Sequence, residues 1–304
     1  MRRCSVLAVL LAFAVPATAR PAESGQTFDA GGVKLYYEVL GPSGGSPAPP
    51  LVVANGGPGF DHQYLHVSGV WGELAKDRRV VLYDQRGTGR STAGAAPGKL
   101  TDQIADLDAL REHLGVQQID LMGHSWGGYL AMAYTARHPD RVRRLVIVDS
   151  AAPRWGDTLF MFKEFYPERV ASQDAVAFAA ELGDKAASEA SMQVYLSMLF
   201  YSPENRDTFL AAAAGLHYSA DVNHALNADL GRFDLGPELL KLKMPALVVT
   251  GRYDANVAPA TAWRIHQAIP GSRFEVFEKS GHLPFFEEPA RFVEVVRGFL
   301  ETTP

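Results

Sequence analysis

Ile119-Asp120-Leu121-Met122-Gly123-His124-Ser125-Trp126-Gly127-Gly128 joins a short apolar run to a serine set between glycines and then to an alanine-rich helical segment. The order reads as strand, sharp turn, helix, with Ser125 at the turn. A serine hydroxyl is a poor nucleophile at neutral pH, so it needs exposure to a base. A tight turn supplies that exposure, and glycines on both sides avoid clashes where the backbone bends and packs closely. By itself a G-x-S-x-G pentapeptide is common, and its weight comes from the strand before it and the helix after it.

Outward from this elbow, apolar β-rich runs alternate with helical patterns. Strands are expected at residues 26–30, 33–40, 51–54, 79–83, 119–122, 145–148, 246–250 and 273–277. From Leu51 onward they are short continuous apolar runs, which suits parallel strands buried on both faces. Helices are expected at residues 62–75, 100–114, 126–137, 259–269 and 289–300, with Thr101 and Pro289 as starting signals. The pattern is that of an α/β chain, a sheet flanked by helices. Residues 42–50, rich in Pro, Gly and Ser, read as a loop.

The alternation stops after Asp149 and resumes at Met244-Pro245. Residues 153–243 are rich in Ala, Phe, Tyr and Met at helical spacing, and read as a helical cap inserted between two strands of a core made of residues 20–152 and 244–304. The insertion holds thirteen acidic and eight basic residues, a balance of −5 that equals the formal charge of the whole chain. The core is therefore nearly neutral.

Composition narrows the function classes. With 304 residues, 47% apolar and 21% charged, the chain is an ordinary globular one. A net charge of −5 has the wrong sign for a nucleic-acid binder. Arg2 and Arg3, the apolar run 6–15 and Ala17-Thr18-Ala19 form a secretory signal pattern covering residues 1–19, with cleavage expected after Ala19. Its apolar run is too short to cross about 30 Å of hydrocarbon, so no membrane association is expected after its removal. The chain is thus expected to be secreted or periplasmic. Cys4, the single cysteine, lies inside that segment, so its cleavage would leave no disulfide, thiol nucleophile or thiolate metal site.

The nucleophile needs a base and an orienting acid, which in sheets with this kind of elbow follow it in the order Ser, acid, His. His282, in Ser280-Gly281-His282-Leu283-Pro284 just after the last strand, is the expected base. Asp254, in Gly251-Arg252-Tyr253-Asp254 after the preceding strand, is the expected acid; it would fix the imidazole tautomer and stabilise the imidazolium. His124 adjoins the nucleophile, but its side chain points elsewhere if Ser125 tops the elbow. Acyl transfer also needs donors for an oxyanion. The backbone N–H of Trp126 is one. Asn55-Gly56-Gly57-Pro58-Gly59 after the third strand supplies the other, from Gly57, because Pro58 has no N–H. A phosphate-binding reading of this loop is weaker, since G-x-G-x-x-G is absent. Asp84-Gln85-Arg86-Gly87-Thr88-Gly89-Arg90-Ser91 reads as an ordered structural loop.

With these motifs in their order, the chain resembles the proline iminopeptidase-like family of α/β-hydrolases, over residues 27–300. The resemblance implies a mostly parallel eight-stranded sheet with a helical cap, a Ser125/Asp254/His282 triad, no cofactor and no metal. It also implies release of N-terminal residues, often proline, from small peptides. Two departures stand out. Asn55 occupies the position where the family usually has histidine before Gly-Gly-Pro-Gly, and no diagnostic cap motif for the substrate's α-ammonium is found. Asn55, Glu164, Glu168, Glu204 and Asp207 are the candidate substrate contacts. An ester or lactone hydrolase using the same triad is the alternative, distinguished by whether a cap carboxylate faces Ser125. A non-catalytic receptor would not need an aligned base and acid, and epoxide hydrolases and dehalogenases of this fold require Asp where Ser125 stands.

Overall fold

The computed structural model describes residues 25–42, 48–94, 98–213 and 215–301, apart from the side chain of Glu181. The expected signal segment, residues 1–19, and the middle of the expected 42–50 loop lie outside the described residues. Eight strands form one sheet: β1 (Gln26–Asp29), β2 (Lys34–Leu40), β3 (Leu51–Ala54), β4 (Val80–Tyr83), β5 (Ile119–His124), β6 (Val142–Val148), β7 (Ala246–Gly251) and β8 (Arg273–Phe277). Their spatial order is β1-β2-β4-β3-β5-β6-β7-β8. β1 pairs antiparallel with β2 and β2 with β4, and the remaining pairs are parallel.

Every residue of β3, β4, β5 and β7 is buried, which explains their unbroken apolar character. Alternate side chains divide between two cores, one on each face of the sheet. Val52, Val81, Leu121 and Val248 pack with helices Leu100–His113 and Trp126–Arg137. Leu51, Val80, Met122 and Val249 pack with Trp71 and helix Pro289–Glu301. That helix buries Phe292, Val296 and Phe299 at spacings of four and three, the stripe of an amphipathic helix on a sheet.

The order of strands positions the site. β3 pairs with β4 on one side and β5 on the other, so the connections leaving β3 and β5 diverge at a switch point. Open α/β sheets bind ligands in the crevice that such a reversal leaves at the carboxyl ends of the strands. Ala54 lies level with Gly123, so the Asn55–Gly59 turn and the Ser125 elbow emerge side by side.

Between β6 and β7 the chain forms helices Pro167–Glu181, Lys185–Ser197, Pro203–Ala212 and Ala220–Leu230. Their starts are legible: Asp184, Ser202 and Ser219 accept N-cap hydrogen bonds from Ala187, Asn205 and Val222. Leu196, Leu199 and Phe209 are buried against one of the core clusters and seat this insertion on the sheet.

The expected helix over 62–75 is instead a 3₁₀ turn, His62–Val67, and a short α-helix, Val70–Leu74. Ser68 breaks it by donating its hydroxyl to the Phe285 carbonyl at 2.6 Å, a distant contact that local periodicity does not carry. The starting signal of helix Leu100–His113 is Lys99 as N-cap rather than Thr101, with the Asp102 carboxylate accepting the Lys99 N–H at 2.8 Å.

Candidate active site

Ser125 sits between β5 and helix Trp126–Arg137 with φ +57°, a left-handed conformation rare for a residue with a side chain. The elbow holds it there because its neighbours must be glycine. A Cβ at Gly123 would lie 2.1 Å from the Gly127 carbonyl oxygen, and one at Gly127 would lie 2.1 Å from that of Ala54. Ser125 and His282 line one cavity that is partly open to solvent.

His282 follows β8 on a loop tied to the cap by its backbone N–H, which donates to Leu199 O at 2.7 Å. Its Nδ1 donates to Asp254 Oδ2 at 2.7 Å. Asp254 is itself oriented by the backbone N–H groups of Asn256 and Val257, at 2.8 and 2.9 Å from Oδ1. With Nδ1 protonated, Nε2 carries the lone pair a general base needs. That lone pair accepts a hydrogen bond from Asn256 Nδ2 at 2.9 Å.

The amides expected to serve as oxyanion donors are those of Trp126 and Gly57. Trp126 is the first residue of its helix, so its N–H has no intrahelical acceptor and lies at the positive end of the helix dipole. Gly57 has φ +136°, where a side chain would be strained, and its loop crowds the nucleophile: a Cβ on Gly56 would lie 3.1 Å from that of Ser125. The Gly56 N–H donates to Tyr64 Oη at 2.6 Å, and Gly56 and Gly57 both line the cavity.

Sequence reasoning missed the relay that follows. The His282 carbonyl can only accept, so His124 Nε2 carries the proton of their 2.8 Å bond, and Nδ1 accepts from Tyr64 Oη at 2.7 Å. Gly56, Tyr64, His124 and His282 thus form one buried chain joining the oxyanion loop to the loop of the base. Burial, and then the nearby His282, hold the His124 imidazole well below the usual histidine range, against the opposing hydrogen bond to the His282 carbonyl. It stays neutral and serves the site as a strut.

Asp149 was also missed. It has φ +45°, is buried, and accepts the Gly251 N–H at 2.9 Å. Asp149, Asp254 and His282 each place a ligand-type atom within 4.8 Å of the others. Burial and then the Asp254 charge push the Asp149 carboxyl well above the usual carboxylate range. A retained proton lets it sit beside Asp254 without like-charge repulsion. No local sequence pattern marks Tyr64, Asn256 or Asp149, because their partners lie in other loops.

Asn55 is buried, but it orders the loop: Nδ2 donates to the carbonyls of Gly56 and Phe60 at 3.1 and 2.7 Å. Gln85 donates to the Asn55 carbonyl at 2.8 Å and accepts from Trp126 Nε1 at 2.6 Å, linking this loop to the elbow helix. The expectation that Asn55 touches substrate does not fit this arrangement, since its Nδ2 is engaged within the loop and its Oδ1 accepts from Gln85 Nε2 at 3.2 Å. Glu164, Glu168, Glu204 and Asp207 lie on the exposed face of the cap, outside the cavity wall. Asp207 pairs there with Arg206 at 2.8 Å. Helical spacing placed them on the cap but did not tell which side faces Ser125. The wall is formed instead by Phe60, Tyr195, Leu196, Leu199, Phe209 and Leu216 together with the triad loops.

Asp84 has the structural role expected of its motif. It accepts from His62 Nδ1 at 2.6 Å and from the Arg90 N–H at 2.8 Å, while Arg86 forks onto Asp106 at 2.8 and 2.5 Å.

Comparison with known proteins agrees with this geometry. A family model described as alpha/beta hydrolase fold matches residues 49–289. A proline iminopeptidase of Clostridium botulinum is 31% identical over 88% of this chain and 94% of its own. The crystal structure of a proline iminopeptidase from Mycobacterium smegmatis superposes with a TM-score of 0.68 at 26% identity, covering 91% of this chain and 97% of that one. The enol-lactonase of Burkholderia xenovorans LB400 superposes with a TM-score of 0.72 at 26% identity, covering 91% and 100%.

Proposed function

The chain belongs to the alpha/beta hydrolase fold family, in its proline iminopeptidase-like group, and on that premise we propose that it is a serine aminopeptidase releasing N-terminal residues, proline preferred, from small peptides. The observation that carries the chemistry is the placement of His282 between Asp254 and the cavity that Ser125 lines. Ser125 Oγ attacks the acyl carbon of the terminal residue while His282 Nε2 takes its proton. The Gly57 and Trp126 amides hold the tetrahedral oxyanion, and the imidazolium, steadied by Asp254, protonates the departing amine. His282 then deprotonates water, which hydrolyses the acyl-enzyme and frees the residue. These steps need no cofactor or metal.

An apolar wall of aliphatic and aromatic side chains suits a pyrrolidine ring or a short acyl group. The same wall favours a second reading, hydrolysis of esters or lactones, because among the described residues no carboxylate lines it to pair with an α-ammonium. Rates on proline arylamide, N-blocked proline arylamide and short acyl esters separate the two. The aminopeptidase reading expects the free arylamide to be cleaved and the blocked one to be spared. Turnover of esters alone would replace it with the second reading.

The chain acts outside the cytoplasm in this proposal, on the support of the signal pattern at residues 1–19. The mass of the exported chain should correspond to a start at Arg20; a retained Met1 would overturn it.

A further inference from the structure

Outside the Ser125 cavity, three side chains from two elements converge. Glu38 on β2 faces His62 and His66 of the 3₁₀ turn that follows the oxyanion loop. His66 Nε2 is 2.8 Å from Glu38 Oε2, and His62 Nε2 is 3.3 Å from Glu38 Oε1. All three ligand-type atoms lie within 4.8 Å of one another. Tetrahedral ligands held at bonds of about 2.0–2.1 Å are themselves roughly 3.3 Å apart, so small adjustments bring these atoms around one ion.

The buried histidine is arranged as a metal ligand is. His62 is 1% exposed, and its Nε2 faces Glu38 Oε1 at 3.3 Å without a well-aligned hydrogen bond. Its Nδ1 is held by Asp84 at 2.6 Å. A carboxylate on the far nitrogen fixes the tautomer, directs the Nε2 lone pair at the ion and raises its basicity. Glu38 is held in turn, its Oε1 accepting from Tyr36 Oη at 2.8 Å. The ring of His62 lies between those of Tyr36 and His66, with centroids 5.8 and 5.3 Å away. His66 is 36% exposed, which opens a fourth position to water.

We propose that Glu38, His62 and His66 bind one divalent cation of the zinc class, as a structural or regulatory site apart from the triad. Two imidazoles and one carboxylate are borderline donors that suit Zn²⁺, Co²⁺ or Ni²⁺ and are too few and too nitrogen-rich for Ca²⁺ or Mg²⁺. The local charge admits a cation. Glu38 and Asp84 pair with the histidines, the buried carboxylate of Asp61 lies beside His62 and Asp84, and the Arg90 guanidinium, 4.0 Å from Glu38 and seated over Tyr36, is the opposing charge. An ion here would tie β2 to the turn that begins three residues beyond Gly59, and through Asp84 to the loop carrying Gln85. The binding would brace the segment that presents the Gly57 amide from outside the cavity.

The test uses the full chain without an affinity tag, stripped with a chelator. Zn²⁺ titration followed by calorimetry should show one equivalent bound, and Co²⁺ should give the visible absorption of a tetrahedral N/O site. His66→Ala and Glu38→Gln should each weaken binding by about 100-fold, while His224→Ala, an exposed histidine of the cap, should leave it unchanged. Zn²⁺ should also raise the melting temperature of the wild type but not of His66→Ala. Lack of saturable binding would overturn the proposal and leave an ion-pair cluster. Binding that survives both ligand substitutions would overturn it too, and would move the ion elsewhere, for instance to Asp254 and His282.

Discussion

The side-chain amide of Asn256 donates to His282 Nε2 at 2.9 Å, at the nitrogen that in the proposed mechanism takes the proton of Ser125. The base is therefore oriented by two residues of one loop: Asp254 holds Nδ1, and Asn256 occupies the lone pair. A neutral hydrogen bond of this kind is worth about 1 kcal/mol, so displacing it slows acylation by about five-fold. Asn256→Ala should raise kcat/KM by up to about that factor. A loss greater than about ten-fold would show that Asn256 holds the ring in place instead.

Tyr64 links the oxyanion loop to His124 through one hydroxyl. Tyr64→Phe leaves the Gly56 N–H and His124 Nδ1 without partners in a buried region, at about 1–3 kcal/mol each. The variant should melt at a lower temperature and lose about ten-fold in kcat with little change in KM, because the defect lies in presentation of the Gly57 donor. Thermal melts and steady-state kinetics on the same preparation test this. Wild-type kcat would show that the oxyanion loop holds its shape without the relay.

Glu287 fastens the cap to the loop of the base. Its carboxylate accepts the backbone N–H groups of Tyr201, Ser202 and Gly281 at 3.0, 2.9 and 2.6 Å. Burial raises its pKa, and the three amides pull against that rise. Glu287→Gln turns an acceptor into a donor against them, and hydrogen exchange at Tyr201 and Ser202 should quicken by about ten-fold or more. Unchanged protection there would place the cap's attachment elsewhere.

His124 makes stability depend on pH. Its folded pKa is depressed, so the folded chain resists a proton that the unfolded chain takes up near 6.5. This contribution is fully present above about pH 6.5 and is lost as the pH falls, at about 1.4 kcal/mol per pH unit. Denaturant titrations from pH 8 to pH 5 should give His124→Gln a slope smaller by one proton. Identical slopes would show that His124 is protonated in the folded chain.

Much of the frame was legible because burial on both faces of a sheet leaves a visible trace. Residues such as Leu51–Ala54 and Ala246–Gly251 have no solvent-facing position, so their strands appear as unbroken apolar runs. The elbow was legible for a steric reason, since only glycine fits where Gly123 and Gly127 meet backbone oxygens. Tyr64, Asn256 and Asp149 left no such trace. Each acts through a partner brought close by the fold, as when Tyr64 meets His124, sixty residues away. The acidic cap residues failed for a related reason: helical periodicity gives an apolar stripe, but which loop that stripe covers is decided by tertiary packing such as Leu199 against His282.

Covalent trapping tests the central chemistry most directly. Treatment with a fluorophosphonate, followed by intact mass and peptide mapping, should find a single adduct on Ser125, formed about 10³-fold more slowly or worse in His282→Ala and absent in Ser125→Ala. An adduct on another residue, or labelling that persists at the wild-type rate without Ser125 or His282, would contradict the account.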